Sequence, residues 1–166
     1  MRIILPIGIS GSGKSLLYKS MFKDIDIVSP DLIRYELTGD ISNQECNGHV
    51  FKIVDKRIDE HVLLNKDVYL DATNVNRKTR KKFVNKYKDN PNVEIIYYVL
   101  PANIKLSYER IQKDIENQVN RSKVPFSVLL RQLDMYNESI DMNFEGENYS
   151  QIIWIKQEDL DKLCTR

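Results

Sequence analysis

The stretch 2-RIILPIGISGSGKSLLYKSMF-22 decides the fold. Its opening RIILPI is an apolar run of strand length, and 14-KSLLYKSMF-22 reads as a helix. Between them 8-GISGSGKS-15 satisfies G-x-x-x-x-G-K-[ST] without exception, and it carries the flanks that make the motif believable: a strand before and a helix after. Gly8, Gly11 and Gly13 let the backbone turn tightly where side chains would obstruct it, so that main-chain N–H groups from Gly8, Ile9, Ser10, Gly11, Ser12 and Gly13 can point inward. The first turn of the following helix adds unpaired N–H donors and the positive end of its dipole.

Such a concave array of donors suits a polyanion. In this pattern Lys14 supplies a positive charge for β- and γ-phosphates, and Ser15 offers a hydroxyl to Mg²⁺. The expected ligands are therefore Mg²⁺ and ATP, or another nucleoside triphosphate, as phosphoryl donor. A glycine-rich turn with a chance lysine is the plainer reading, and the complete motif with its correct flanks argues against it.

Outward from this stretch, strands and helices alternate. Strand 25-IDIV-28 stops at Ser29-Pro30, a short helix runs from Asp31 to near Gly39, and a longer helix covers about 45–65. Strand 68-VYLD-71 leads through 71-DATN-74 into a basic helix at 77–88, and 93-VEIIYYVL-100 is a strand apolar enough to be buried on both faces. Helices follow at about 103–118 and 127–140, then the polar stretch 141-DMNFEGENYS-150, expected to be a surface loop, strand 151-QIIWI-155 and a terminal helix. This order predicts an α/β fold: a five-stranded, mostly parallel sheet with helices on both faces, in one domain over residues 1–166. Right-handed crossovers bring the strand ends carrying Gly8, Ser29, Asp71 and Pro101 to one edge, where ligands bind in such sheets. Trp154 and the tyrosines of 93–99 are expected in the core.

Composition fits that picture. The 166 residues are 42% hydrophobic and 30% charged, as in a soluble globular domain. No apolar run approaches membrane-spanning length and no secretory leader is visible, so a cytoplasmic protein is expected, in the host cytoplasm if the source is a phage. Cys46 and Cys164 form no spaced framework and are read as free thiols. His49 and His61 have no zinc-site spacing, although His49 could line an acceptor cleft. The formal net charge is only +1, but Arg77, Lys78, Arg80, Lys81, Lys82, Lys86 and Lys88 fall together with no acid among them. Such a helix is either a solvated face or a basic track for a polyanion.

Two acids stand at the ligand-binding edge. Asp31 lies three residues before Arg34, so on a helix the two share a face. Asp31 can orient an acceptor hydroxyl and take its proton while Arg34 holds a neighbouring phosphate; its plainer reading is a helix N-cap. Asp71 ends an apolar strand beside the cradle, where it can hold Mg²⁺ or position the acceptor, or simply cap its turn. Arg110 and Arg121 flank the polar stretch 112-QKDIENQVN-120 and suggest a lid at about 110–125 whose arginines meet the phosphates on closure.

Together 8-GISGSGKS-15, 31-DLIR-34, 71-DATN-74 and the two arginines before 124-VP-125 resemble the 5′-hydroxyl polynucleotide kinase domain of bacteriophage-type end-healing enzymes, a branch of the P-loop kinases. The resemblance covers most of residues 2–140 and implies an adenylate-kinase-like fold. It also implies ATP-dependent transfer of the γ-phosphate to the 5′-OH of DNA or RNA, with a separate phosphatase or ligase as a partner. Carried across, it makes Lys14 and Ser15 phosphate and metal contacts, Asp31 the general base and Arg34 the contact to the acceptor's 3′-phosphate. Asp71 matches the second acid of the acceptor site, Arg121 the lid arginine on the donor phosphates, and Arg110 the arginine that opens the lid. One departure is the ten residues between Arg110 and Arg121, a longer gap than the family usually has. Two other readings stay open: a P-loop kinase of a small metabolite, nucleoside or nucleotide, and a non-catalytic nucleotide-gated binding module.

Overall fold

Alternating side chains of the central strands divide the interior in two. In a computed structural model, which describes residues 1–119 and 121–164 (Cys164 by its backbone alone), the strands are β1 (Arg2–Ile7), β2 (Asp26–Val28), β3 (Val68–Leu70), β4 (Glu94–Val99) and β5 (Gln151–Trp154). They form one five-stranded sheet in the order β2-β3-β1-β4-β5, with every neighbouring pair parallel. Ile3, Leu5, Ile7, Val68, Leu70, Ile95, Tyr97 and Val99 point to one face, and Ile4, Tyr69, Ile96 and Tyr98 to the other. The three inner strands are buried on both faces, which is why their sequences are apolar rather than alternating.

Among the described residues seven helices surround the sheet, six between strands and the last after β5: α1 (Lys14–Met21), α2 (Pro30–Thr38), α3 (Asn47–Leu63), α4 (Arg77–Tyr87), α5 (Ile104–Glu116), α6 (Phe126–Asp141) and α7 (Gln157–Cys164). Helices α2 to α6 cover the first face through Ile33, Val50, Val54, Ile58, Val84, Ile111 and Leu129, while α1 and α7 cover the second through Leu17 and Leu160. Each of these side chains, buried in full, contributes about 1.5–3 kcal/mol. The α/β architecture expected from the order of elements is the one observed, and its crossovers deliver the carboxyl ends of all five strands to one edge.

One local expectation is refined and one corrected. The stretch 141–150 runs largely at the surface as expected, but Asn143 and Phe144 take positive φ (45° and 56°), and the turn drops two of its side chains, Phe144 (1% exposed) and Glu147, into the interior. Phe144 there meets the rings of Tyr97, Tyr149 and Trp154. Trp154, expected in the core, is half exposed. It sits on the edge strand β5, which pairs only with β4, and Phe144 covers it from one side alone.

Candidate active site

The junction of β1 and α1 forms the cradle. Gly11 and Gly13 both adopt positive φ (79° and 106°), and a Cβ on Gly11 would lie 2.5 Å from the Ser107 carbonyl oxygen of α5. Glycine is required there both for the turn and for the approach of a neighbouring helix. The cradle is tied to the turn after β3: the Gly8 N–H donates to the Thr73 carbonyl at 3.0 Å, and Asn74 Nδ2 donates to Pro6 O at 2.8 Å. Thr73 and Asn74 thus shape the turn, Asn74 with a φ of 51°. From beneath, the Tyr69 hydroxyl donates to Lys14 O at 2.9 Å.

Lys14 is buried, and its ammonium donates to Gly8 O at 2.9 Å and Ile9 O at 2.8 Å. Burial lowers its pKa to about 8; Asp71 opposes that, Arg121 adds to it, and Asp31 opposes it. Asp71, Arg121 and Asp31 are thus all close enough for their charges to act on Lys14. Burial pushes the Asp71 carboxyl above the usual range, with Lys14 opposing and Asp31 adding. The Ser12 hydroxyl is buried without a partner.

On α2, Ser29 is the N-cap, accepting from the Leu32 N–H at 3.4 Å, and Pro30 fills the first helical position. Asp31 is consequently not needed as the cap, and its side chain is engaged elsewhere. One carboxylate oxygen pairs with Arg34 Nη1, and the other accepts from the Ser122 hydroxyl at 3.1 Å. Arg34 is itself buried, with its Nε donating to Asn47 Oδ1 at 3.0 Å.

The segment after α5 closes over this pair. The Ser122 hydroxyl also lies 3.2 Å from Ile41 O, and the Lys123 N–H donates to Ser42 Oγ at 3.4 Å. Half of the expected lid is the tail of α5; Asn120, within the polar stretch, lies outside the described residues. Arg121 pairs with Asp114 through Nη1 while its Nε is buried without a partner. It lines a cavity of about 320 Å³ together with Ile41, Ser42, Ile115, Val119 and Lys123. Arg110 reaches the cradle from α5, donating to Gly11 O at 3.3 Å.

Sequence reasoning missed three residues here: Asn47, which holds Arg34; Ser122, which meets Asp31; and Gln132 of α6, whose Oε1 accepts from the Ser10 N–H at 2.8 Å. Only Ser122, beside a lid arginine, had any local signal. Of the histidines, His49 is exposed on α3, two residues after Asn47, and His61 pairs with Asp26 at 3.2 Å. The basic helix is thinner than its sequence suggests. Arg80 is buried, Arg77 donates to Glu145 O, Lys86 pairs with Asp59 and Lys88 with Asp89, while Lys78 and Lys82 are exposed and Lys81 is half-buried beside Gly146.

No group of three or more His, Cys, Asp or Glu side chains among the described residues is arranged to hold a metal. Ser15 and Asp71 are hard oxygen donors, and Mg²⁺ characteristically takes one or two such ligands and completes its shell with water and phosphate. The donor set fits that ion. Among the described residues no helix is long and apolar enough to cross a membrane.

A family model described as an AAA domain matches residues 3–139. No curated protein matches the chain. Among solved structures, a chain of the Pnkp1/Rnl/Hen1 RNA repair complex aligns with a TM-score of 0.73 and 19% identity, over 84% of this chain and 45% of that one. The present chain thus spans less than half of that relative. The PezAT toxin-antitoxin system of Streptococcus pneumoniae aligns at 0.68 and 17% identity, over 95% and 68%. Deoxyadenosine kinase from M. mycoides, with dCMP and dCDP bound, aligns at 0.56 and 14%, over 99% and 95%. At such identities the likeness is one of fold, and the fold is that of the P-loop kinases. With its intact 8-GISGSGKS-15 cradle and a family match over most of its length, the chain belongs to this AAA-domain family of P-loop proteins.

Proposed function

We propose that this domain is an ATP-dependent kinase that transfers the γ-phosphoryl group to the 5′-hydroxyl of a nucleic-acid end. The observation that carries this reading is the Asp31–Arg34 pair, held at the edge shared with the Lys14 cradle: a carboxylate for a hydroxyl beside a guanidinium for a phosphate.

In this reading the cradle amides and Lys14 hold the β- and γ-phosphates, and Ser15 and Asp71 are the residues that would hold Mg²⁺, which would supply charge neutralisation to the phosphate oxygens. Asp31 orients the acceptor hydroxyl and takes its proton as that oxygen bonds to the γ-phosphorus. The bond from the γ-phosphorus to the β–γ bridging oxygen breaks, and ADP leaves. Arg34 binds the phosphate on the 3′ side of the acceptor nucleotide. Arg121, swung from Asp114, meets charge on the transferring group, and Arg110 sits against the donor side of the cradle. Lys78, Lys81 and Lys82 give a duplex or strand a weak basic track.

A second reading is supported by the closed segment over Asp31 and by the small-molecule kinases that share the fold. A nucleotide-gated binding module is the third, and the proton-accepting geometry of Asp31 speaks against it. One experiment separates them. Radiolabelled ATP is offered with 5′-OH DNA, 5′-OH RNA, a nucleoside 3′-monophosphate and metabolite hydroxyls, to the native chain and to Asp31→Asn. Labelling of oligonucleotide ends, reduced about a hundredfold or more in the variant while Mg·ATP still binds, is expected. Label only in metabolites selects the second reading, and label in nothing selects the third.

A further inference from the structure

We infer that Gln132 is a positioning residue of the nucleotide site, holding the Ile9–Ser10 peptide so that its carbonyl stays on the Lys14 ammonium. This rests on the nucleotide-binding reading of the cradle but not on the identity of the acceptor.

Ile9 C=O and Ser10 N–H belong to one peptide group, and the chain contains no cis peptide among the described residues. In a trans peptide the two point in opposite directions. On one side Ile9 O accepts from Lys14 Nζ at 2.8 Å and from the Ser12 N–H at 3.2 Å. On the other the Ser10 N–H donates to Gln132 Oε1 at 2.8 Å. The peptide plane is therefore gripped from both edges, and turning it over would break all three bonds together. Such a grip matters in this segment because the plane turns about ψ of Ile9 and φ of Ser10, and neither residue lies in a helix or strand whose ladder would hold it.

Gln132 is well placed for the task. Nothing local to the cradle supplies an acceptor for Ser10; the partner comes from 122 residues away on α6. That helix is itself pegged to the strand edge one turn later, where the Tyr136 hydroxyl donates to Leu100 O at 2.9 Å. An amide that donates also becomes a better acceptor at its carbonyl, so the bond from Ser10 strengthens the seat of Lys14. Since α6 begins directly after the segment that covers Asp31, Gln132 also links that segment to the cradle through one rigid element.

The test uses the full chain with Gln132→Met, close in volume but without the acceptor, and Gln132→Ala as a second variant should Met crowd the loop. Mg·ADP and Mg·ATP affinities are measured by calorimetry, the ligand-free thermal midpoint by scanning, and Ser10 amide exchange by NMR. Loss of one neutral hydrogen bond should weaken both nucleotides by about three- to tenfold and by similar factors. Ser10 exchange should accelerate, while the midpoint falls by no more than the roughly 2–4 °C that one hydrogen bond represents in a chain of this size. In Gln132→Glu a carboxylate oxygen can still accept, and Ser10 protection should return. Native affinities in Gln132→Met and Gln132→Ala, with or without a lower midpoint, would overturn the inference and leave Gln132 a packing residue. A native chain that takes up neither nucleotide would instead remove the reading of the cradle on which it stands.

Discussion

Two cation–carboxylate neighbourhoods hang on the same turn after β3, and they are built on opposite principles. Arg80 and Glu147 meet at 2.6 Å with both side chains fully buried, and every edge of the pair is occupied. Arg80 also donates to Asn74 O at 2.6 Å and to the Ser139 hydroxyl at 3.0 Å, and Glu147 accepts from the Tyr97 hydroxyl at 2.7 Å. Phe144 and Tyr97 cover the guanidinium with their rings. Around Lys14, by contrast, charges are gathered but left incompletely answered: Asp71 and Lys14 are both shifted by burial, and Ser12 Oγ and Arg121 Nε are buried without partners. A closed network specifies structure, whereas an open one awaits a ligand that supplies the missing charge.

The comparison can be broken from either side. Arg80→Met leaves Glu147 charged and alone in the interior, which should cost about 3–5 kcal/mol of stability, read by chemical denaturation. The pair is structural if Mg·ADP affinity, measured well below the melting point, is unchanged; a lost affinity at full stability would move Arg80 into the site. Lys14→Ala should do the reverse, lowering transfer by about a hundredfold or more while the fold keeps its midpoint within about 2 °C, because a poorly solvated charge is removed. Full transfer in that variant would end the cradle reading.

Protonation sharpens the contrast. Lys14 has a folded pKa of about 8 against an ordinary 10.5, so between those values the unfolded chain holds more protons and this group's contribution to stability rises with pH. Nucleotide binding should respond with the opposite sign. A triphosphate favours the charged ammonium, so affinity should fall above about pH 8, by at most about tenfold per unit, with proton uptake on binding. Calorimetry in buffers of different ionisation enthalpy reads that uptake directly, and its absence at pH 8.5 would mean that Lys14 is not the group that meets the phosphates. The smallest effect belongs to the exposed charges. Changing Lys78, Lys81 and Lys82 to Gln should raise the KM for oligonucleotides by about three- to tenfold at low salt and leave that for a mononucleotide unaltered. Equal changes for both acceptors would reject the basic track.

What was legible in the sequence is what local pattern controls. The apolar runs of β1 and β4, the glycines before Lys14 and the alternation of strand with helix announced a parallel sheet with its cradle at one edge, and the five strand ends lie there. Ser29 and Pro30 marked the start of α2, and the i,i+3 spacing of Asp31 and Arg34 put them on one face, while their pairing with each other is a finding of the structure. The 141–150 stretch is the surface segment its polar composition implied, but the burial of Phe144 and Glu147 within it was hidden, because it depends on a left-handed turn and on a partner, Arg80, more than sixty residues away.

The basic helix hides burial in the same way: charge content is visible along the chain, but which charges face outward is not. Arg80 and Lys78 are indistinguishable by composition, and only the packing of α4 against α6 and the 141–150 turn buries one and exposes the other. Asn47, Ser122 and Gln132 entered the site from distant segments for which no spacing rule exists. The amino-acid order by itself determined the cradle motif and the parallel α/β class with its strand ends at one edge, because these follow from residues close together in the chain and from the handedness of crossovers. The tertiary structure alone decided how the charges are satisfied, because a hydrogen bond or ion pair depends on distance in space, and that distance is set by how whole elements pack.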